Sequence, residues 1–460
     1  MRLANKKHYI IAIIIVFGTV FFSLAYVSEL KFTPPTPANE TTVHINHTTI
    51  NVSIVTDELF YLAFNWNGVN KTYTTCGVQW NESTNSYIKT TTVESPMEID
   101  FNNTFPWSEM RRCTLWDNGT VHYYLNATNS SLKADGTLAD LSGADGQVMV
   151  EIPKFYYSYS FTGSTHHYNI SRFNLTGFKV HNAFIKDGVE VDYRYIGAYE
   201  GSMWDASTGV MVPSANITDD MYASGDKLCS VSGTYPKTNE TRSEFRSMAS
   251  ERGVGWRQLD FDLYSATQLL YLVEYGDFDS QSTIGYGRTQ LYGDTWSWIA
   301  GSCIGKCGKS NSDGDYTNSI AGNTNDAYMT YRGIENWYGN IWKFVDGINI
   351  HDYVPYVTNN ASAWSDDTSV GYTNISVTLA SAYGYQITLC DTDRGFFPAS
   401  TGTNSTYISD YYWRFFGWRT ILQGGHAYGG ANAAFCGAFC LAADNAASDN
   451  YVMLGSRLAY

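Results

Sequence analysis

The sequence predicts an α+β fold, in which a β-rich body with one principal helix follows a small β-rich domain and an apolar N-terminal segment. Aromatic residues make up 16% of the 460 residues. Charged residues also make up 16%, below the roughly one quarter usual in soluble domains. Short runs rich in Val, Ile and Tyr favour strands. The strongest helical pattern spans 260–275, where apolar residues recur at helical spacing.

The N-terminal segment is predicted to cross a membrane. Three basic residues precede an apolar run, 9–27, and its length of about 19 residues suits a transmembrane helix. The positive charge places a short tail, 1–8, in the cytoplasm and the rest of the chain outside. A cleaved signal peptide ending near Ala25 is the alternative. Both alternatives place the body at a cell or virion surface, and a retained anchor makes the protein single-pass.

Residues 28–75 are predicted to form a glycosylated stalk. Pro34, Pro35 and Pro37 favour an extended polyproline conformation. Asn-x-Ser/Thr acceptor triplets start here and recur along the chain, although an Asn- and Thr-rich sequence also produces such triplets by chance. Because the chain is predicted to be exported, we expect a glycoprotein, and its glycans must stay at the surface. Its acceptors would be Asn39, Asn46, Asn51, Asn70, Asn81, Asn102, Asn118, Asn126, Asn129, Asn169, Asn174, Asn216, Asn239, Asn360, Asn374 and Asn404.

Two folding units are predicted after the stalk: a small β-rich domain, 76–144, and a larger domain, 145–460. The first contains a hairpin whose Asn118-Gly119 pair is typical of a type I′ turn. The second contains the principal helix, which Asp260 can cap and Gly276 can end. The apolar positions of that helix predict a core-facing stripe.

A loop rich in Gly, Ser, Asn and Asp follows the helix over 285–331. Asp313 and Asp315 could offer oxygen ligands to Ca²⁺. The run is too short for an EF-hand and lacks its distal Glu, so a solvated turn is the alternative. No other cofactor is predicted.

The eight cysteines suggest disulfides in an exported chain. They are Cys76, Cys113, Cys229, Cys303, Cys307, Cys390, Cys436 and Cys440. Two pairs share a spacing of three intervening residues, which permits a local bridge without requiring one. Zinc binding is the alternative, but the usual zinc-site spacing is two residues.

Three segments carry a family resemblance. They are 145–156 (DGQVMVEIPKFY), 333–347 (GIENWYGNIWKFVDG) and the C-terminal 413–460, with its Gly424-Gly425 turn and closing GSRLAY. Together they resemble the C-type-lectin-like fold shared by formylglycine-generating enzymes and the variable proteins of diversity-generating retroelements, a group that includes the phage major tropism determinant. The resemblance implies that 424–460 is a display segment of the kind that is diversified in those relatives.

The resemblance also implies the contact residues. They are His426, Tyr428, Asn432, Phe435, Asp444, Asn445, Asp449, Asn450 and Tyr451. Trp413 and Trp418 would flank them, with core packing as the alternative use of each. In the register of the formylglycine-generating enzymes, the reactive cysteine pair falls on Gly429 and Ala434, neither of which is a thiol. We therefore predict binding rather than catalysis.

The sequence as a whole predicts a surface-displayed, adhesin-like protein that binds a protein or glycan ligand on another cell or virion, alone or as an oligomer. The net charge of −15 argues against a nucleic-acid partner. Acceptor triplets on an anchored, phage-like chain fit an archaeal or viral surface. The alternatives are a structural glycoprotein of a virion or cell envelope whose C-terminal face packs on neighbouring subunits, and an oxidase-type enzyme of the formylglycine-generating family.

Overall fold

The computed structural model describes residues 75–91, 99–212, 221–289, 304–322, 326–403, 407–427 and 435–460. Before residue 75 it describes the course of five strands, which form a three-stranded and a two-stranded sheet: Tyr9–Ile15, Gly18–Leu24, Glu29–Thr33, Asn51–Val55 and Tyr61–Trp66. The described chain consists mainly of β-strands with a few helices, which confirms an α+β fold dominated by sheets.

The first large sheet has seven strands and includes the end of the chain. Its strand Gln147–Pro153 is buried at every residue. The two-residue strand Leu458–Ala459 pairs with Tyr193–Gly197 on one side and with Arg257–Gln258 on the other, so the chain end is held in place. The spatial order is Asn129–Lys133, Val121–Asn126, Arg111–Leu115, Gln147–Pro153, Tyr193–Gly197, Leu458–Ala459 and Arg257–Gln258.

The second large sheet has nine strands and carries the C-terminal segment. Leu441–Ala443 lies between Trp418–Gln423, to which it is antiparallel, and Tyr411–Arg414, to which it is parallel. Leu454–Gly455 pairs in parallel with the start of Trp342–His351. The other eight strands follow the order Thr373–Asn374, Val354–Val357, Trp342–His351, Trp418–Gln423, Leu441–Ala443, Tyr411–Arg414, Gly384–Leu389 and Pro398–Gly402.

The remaining described strands form smaller sheets. The five-stranded sheet has the order Lys179–Val180, Tyr156–Thr162, Thr165–Ser171, Thr75–Asn81 and Ser86–Thr91. Two three-stranded sheets consist of Val210–Met211, Ser202–Asp205 and Lys227–Cys229, and of Asn318–Ile320, Tyr328–Tyr331 and Ile334–Glu335. A two-stranded ribbon joins Ile185–Lys186 to Val189–Glu190.

Three α-helices are described: α1 (Arg242–Ser250), α2 (Phe261–Tyr275) and α3 (Ser280–Ile284). Helix α2 confirms the helix predicted over 260–275. The Asp260 side chain accepts a hydrogen bond from the backbone N–H of Leu263 at 2.8 Å, and Gly276 ends the helix at φ 68°. Every residue of α2 except Tyr275 is buried, so protein surrounds the helix rather than covering one stripe.

The nine-stranded sheet separates two hydrophobic cores. Neighbouring residues of a strand point to opposite faces of its sheet. Ile421 and Leu441 therefore pack with α2 in the first core, whereas Leu422 and Ala442 pack with α1 in the second. The C-terminal segment thus belongs to both cores.

The predicted transmembrane helix over 9–27 does not appear in the structure. Tyr9–Ile15 and Gly18–Leu24 are antiparallel strands there, with Tyr9 opposite Leu24. Ile, Val, Thr and Phe crowd these two segments, and such residues favour strands. Among the described residues, no helix is both long enough and apolar enough to cross a bilayer. The tail 1–8 and most of the stalk lie outside the described residues.

The predicted hairpin is confirmed, but its turn differs from the prediction. Arg111–Leu115 pairs with Val121–Asn126, and the positive φ falls on Gly119, at 81°, rather than on both turn residues. The Asn118 Oδ1 accepts a hydrogen bond from the backbone N–H of Thr120 at 3.0 Å and thereby supplies a different turn.

Strands on both sides of residue 144 pair with each other. Arg111–Leu115 pairs with Gln147–Pro153, and Thr75–Asn81 pairs with Thr165–Ser171. The sheets are therefore continuous across the proposed boundary, and the division into 76–144 and 145–460 stays a prediction about folding units.

The predicted disulfides are not present among the described cysteines. Seven are free thiols and all seven are buried: Cys76, Cys113, Cys229, Cys307, Cys390, Cys436 and Cys440. Cys303 lies outside the described residues. The second core surrounds Cys440, whereas Cys436 fits against Gly425 and its Sγ lies 3.7 Å from the carbonyl oxygen of His426. The thiols therefore fill the interior instead of joining segments.

Candidate recognition face

The middle of the C-terminal segment, 436–443, is buried and anchored to the body. The Ala438 carbonyl accepts a hydrogen bond from Gln268 Nε2 of α2 at 2.7 Å. The Phe439 N–H donates to the buried Asp410 carboxylate at 2.7 Å. The display segment expected over 424–460 is therefore interrupted at these residues, because buried polar side chains fix their backbone.

The Gly424-Gly425 turn joins this segment to the 333–347 motif. Both glycines have positive φ, 86° and 79°, and a Cβ on Gly425 would overlap the Cys436 side chain. The Gly339 N–H donates to the Gly424 carbonyl at 3.0 Å, and the Ala427 N–H donates to the Asn340 carbonyl at 2.9 Å. Two of the three segments that carry the resemblance are thus hydrogen-bonded to each other.

A buried ion pair lies beneath this turn. Lys343 Nζ is 2.9 Å from Glu200 Oε1, and the two side chains are 1% and 0% exposed. Asn340 Nδ2 donates to the other Glu200 oxygen, and Asn340 Oδ1 accepts from the Gly305 N–H at 2.7 Å. Burial, opposed by Glu200, lowers the pKa of Lys343 to about 8. The asparagine of the motif therefore fixes the backbone that supports the C-terminal segment.

Four aromatic side chains form a continuous, half-buried surface beside the C-terminal segment. We call Tyr385, Tyr411, Trp413 and Phe435 the aromatic cluster. The Tyr411 ring centroid lies 4.6 Å from that of Trp413 and 4.6 Å from that of Phe435. Tyr385 lies 5.2 Å from Tyr411 and 5.5 Å from Phe435. Tyr385 and Tyr411 lie opposite each other on paired strands, and Trp413 lies on the same strand as Tyr411. Three of the four rings therefore belong to the nine-stranded sheet.

Trp342 and His426 continue the aromatic cluster towards the second core. The Trp342 ring lies 5.6 Å from Trp413 and 5.9 Å from His426. Burial, helped by the charge of Lys343, lowers the pKa of His426 to about 4. The imidazole is therefore neutral at physiological pH and adds no charge to the face.

The predicted contact residues fall into two groups. Phe435 belongs to the aromatic cluster, and His426 borders it; Tyr428 and Asn432 lie outside the described residues, as do Gly429 and Ala434. The other group follows Leu441–Ala443: Asp444, Asn445 and Asp449 are half-buried, whereas Asn450 and Tyr451 are exposed. The structure therefore places the described contact residues on either side of the anchored middle.

The second group adjoins an exposed pair of phenylalanines, which we call the phenylalanine corner. Phe415 is 56% exposed and Phe416 is 60% exposed. The Phe415 N–H donates to the Ala443 carbonyl at 3.2 Å, next to Asp444. The Arg419 guanidinium lies over the Phe415 ring at 4.9 Å from its centroid. This corner is an apolar surface with a cationic partner.

Sequence reasoning missed Tyr385, Tyr411 and both phenylalanines of the corner. Tyr411 and Trp413 alternate along one strand, which is a signal for a shared face, but the pairing of Tyr385 with Tyr411 links residues far apart in sequence. Trp413 belongs to the aromatic cluster and also packs on the second core. Trp418 packs against His351 with tilted rings, whose centroids are 4.4 Å apart.

The described cysteines and aspartates of the sequence-predicted sites are poorly suited to nucleophilic catalysis or metal binding. Burial raises the pKa of Cys436 to about 12 and that of Cys440 well above its usual value, so neither is a thiolate nucleophile at neutral pH. Asp315 accepts a hydrogen bond from the Arg112 N–H at 2.7 Å, and Asp313 accepts one from the Tyr328 hydroxyl at 2.6 Å. Within the described part of the chain, no cluster of three or more potential ligands could hold a metal ion.

No protein-family model matches the chain, and no curated protein sequence matches it significantly. Among solved structures, the chain is similar to the "Major Tropism Determinant I1 Variant", with 10% identity, and to the "Major Tropism Determinant U1 Variant", with 9% identity. Each comparison covers 85% of this chain and 73% of the other, with a TM-score of 0.26. A likeness of this size carries no argument about function.

Proposed function

We propose that the protein is a surface-displayed ligand- or receptor-binding protein with a C-type-lectin-like body. Its contact surface is the aromatic cluster together with the contact residues around it. One observation carries this proposal: four aromatic rings form one connected, half-buried cluster, and three of them lie on strands of the nine-stranded sheet. Rigid aromatic side chains provide large contact areas at low cost in conformational entropy.

The segment that contains Phe435 also carries polar groups that suit recognition. Binding surfaces commonly combine an aromatic centre with a polar rim. Asp444, Asn445 and Asn450 offer adaptable hydrogen-bonding groups in the same segment, and the cluster itself contains no ionisable group that is charged at neutral pH. The part of the partner that contacts the cluster is therefore an uncharged patch of a protein or glycan on another cell or virion.

The surface location is part of the same proposal. Ten of the expected glycan acceptors are described with their side chains, and none of the ten is buried. They are Asn81, Asn102, Asn118, Asn126, Asn129, Asn169, Asn174, Asn239, Asn360 and Asn374. This accessibility supports an exported glycoprotein, and the apolar N-terminal run supports export by a signal sequence.

A specific observation favours a second candidate function, in which the chain is a structural subunit that packs on its neighbours. The phenylalanine corner exposes two large apolar rings side by side, and such patches often mark protein interfaces. In that case the partner surface would be the corner rather than the aromatic cluster.

Binding tests with two matched variants distinguish these functions. Tyr385→Ser combined with Tyr411→Ser removes two partly exposed rings from the aromatic cluster. Tyr193→Ser is the control, because Tyr193 is 47% exposed and lies outside the cluster. The full-length protein and both variants are applied to intact candidate host cells and to glycan and protein arrays. We expect the double variant to bind at least roughly 30-fold more weakly, since central aromatic contacts commonly contribute 2 kcal/mol or more, and the control to bind normally.

Equal binding by the double variant and the wild type would contradict the proposed contact surface. If substitution of Phe415 and Phe416 by Ser instead abolishes self-association, with cell binding undetected for every form, the structural function is supported.

A further inference from the structure

A polar cavity of about 460 Å³ lies at the C-terminal end of α2 and shares no lining residue with the aromatic cluster. Its volume lies within the range of small-molecule sites. The wall includes three aromatic side chains and three polar ones: Phe101, Tyr275, Tyr316, Asn102, Glu274 and Arg332.

The polar wall of this cavity is held in a fixed geometry. The Arg332 guanidinium donates to both carboxylate oxygens of Glu274, with Nε 3.2 Å from Oε2. Its Nη1 donates to Asn102 Oδ1 at 2.8 Å, and the Tyr331 hydroxyl donates to Glu274 at 3.1 Å. The Arg332 and Glu274 side chains are 8% and 6% exposed. Side chains locked in this way form a preorganised surface for a ligand.

The backbone at Arg332 is strained to present this side chain. Arg332 and Gly333 form the two-residue turn between Tyr328–Tyr331 and Ile334–Glu335, with φ of 48° and 80°. Asn, Asp or Gly normally occupies the first position of such a turn, because a longer side chain disfavours positive φ. Strained residues of this kind cluster at functional sites. The arginine side chain therefore has a use at this position that the turn itself does not require.

The charges near the cavity balance. Arg332 pairs with Glu274, and the Lys89 ammonium lies 5.4 Å from the centroid of Phe101, while Asp100 adds a second carboxylate to the lining. A site with two cations and two anions offers no advantage to a strongly charged ligand. Tyr316, which is 46% exposed, offers a ring at the cavity mouth.

We propose that this cavity binds a neutral saccharide. A sugar ring presents C–H faces that pack on aromatic rings and hydroxyl groups that bond to carboxylate, amide and guanidinium groups. The cavity places Tyr275 and Tyr316 beside Glu274, Arg332 and Asn102, so it supplies both kinds of contact. The saccharide has two sources: a free sugar, or a glycan attached to Asn102, which begins an acceptor triplet and lines the cavity.

The first arm of the test detects a free sugar. The full chain is produced in a host without N-glycosylation and examined by saturation-transfer NMR with methyl α-glucoside, methyl α-mannoside, methyl α-galactoside and N-acetylglucosamine. We expect a saturation-transfer signal for at least one sugar. In the Tyr316→Ala variant that signal should be at least roughly five-fold weaker. Tyr193→Ala, whose parent ring is equally exposed but lies outside the cavity, keeps the signal.

The second arm detects a glycan of the chain itself. The full chain is produced in a secretory eukaryotic host and digested under native conditions with peptide N-glycosidase. If the glycan on Asn102 occupies the cavity, the enzyme should release it at least roughly ten-fold more slowly than the glycan on Asn118, an exposed acceptor at a hairpin turn. Tyr316→Ala removes that difference.

Either positive arm supports the saccharide site and identifies the source. The proposal is overturned if no sugar gives transfer and the two glycans are released at equal rates. It is also overturned if the signals are unchanged in Tyr316→Ala. Because this cavity and the aromatic cluster share no residue, either site can fail without the other.

Discussion

Lys343 Nζ lies 2.9 Å from Glu200 Oε1, and neither side chain has appreciable contact with solvent. Lys343 belongs to the long strand of the nine-stranded sheet, whereas Glu200 follows a strand of the seven-stranded sheet. Asn340 binds the same carboxylate and, through its carbonyl, the Ala427 N–H. The pair therefore connects the two sheets directly below the start of the C-terminal segment.

Replacing one member of this pair should be strongly destabilising. Glu200→Gln leaves the buried Lys343 ammonium without its carboxylate, and breaking a buried pair in this way costs about 3–5 kcal/mol. Denaturant unfolding measures the change. Asp192→Asn is the control, because it removes an exposed partner of Lys154 and should cost less than about 1 kcal/mol. A loss below that value in Glu200→Gln would show that the pair does not hold the sheets together.

Asp315 predicts a specific pH dependence of stability. Burial raises the pKa of Asp315 to about 6, against about 3.9 in the unfolded chain. The folded state binds more protons between these values, so this contribution is fully present below about pH 4 and is lost as pH rises through about 6. Asp315→Asn keeps the oxygen that accepts from the Arg112 N–H and removes the ionisation. Unfolding curves should show the variant more stable than the wild type by about 1–3 kcal/mol at pH 7.

The difference between Asp315→Asn and the wild type should become small at about pH 4, because the folded Asp315 side chain is then protonated and uncharged. Stability curves that remain parallel from pH 4 to pH 7 would contradict the raised pKa of Asp315.

The seven described cysteines should react slowly with thiol reagents and should form no disulfides. Burial raises the pKa of Cys76 to about 12 and that of Cys390 to about 11, as it does for Cys436. A chromogenic thiol reagent should therefore label none of the seven described cysteines rapidly in the native protein and all of them after unfolding in denaturant. Reductant should leave the thermal midpoint unchanged. A midpoint that falls by several degrees on reduction would show that disulfides form after all.

Sequence variation within one population should follow the exposure of the C-terminal segment. If the segment is diversified, changes should concentrate at the predicted contact residues, such as Phe435, Asn445 and Tyr451. The buried positions 436–443 should stay constant, because substitutions there disturb both cores. Sequencing the gene from many individuals measures the pattern. Changes spread evenly through 436–443 would contradict the anchored middle.

Local signals explain what could be predicted from the sequence. The prediction of helix α2 was correct at both ends, because Asp260 and Gly276 form hydrogen bonds with residues within a single turn. The signal for the hairpin after Arg111 was also local. Its turn differs from the predicted type I′ turn because the Asn118 side chain accepts a hydrogen bond from the Thr120 N–H. The strands Gln147–Pro153 and Tyr156–Thr162 agree with the expectation that runs rich in Val, Ile and Tyr form strands.

Long-range relationships explain what could not be predicted. Tyr385 joins the aromatic cluster because its strand pairs with Tyr411–Arg414, and no short pattern reveals that pairing. The spacing of Cys436 and Cys440 could not show that one thiol fits against a glycine while the other enters a core. The apolar run 9–27 suits a helix by length, whereas its β-branched residues favour the two strands that are observed.

The central claim is that the aromatic cluster touches the ligand, and oxidative footprinting of the full chain on ligand-bearing cells tests it most directly. Mass spectrometry would compare oxidation of Tyr411, Trp413 and Phe435 with that of Tyr193 and Phe416, which are exposed elsewhere. We predict that binding lowers oxidation of the three cluster residues at least roughly three-fold, as expected for rings at the centre of an interface, and leaves Tyr193 and Phe416 unchanged. Unchanged oxidation of the cluster with protection of Phe416 would contradict the account.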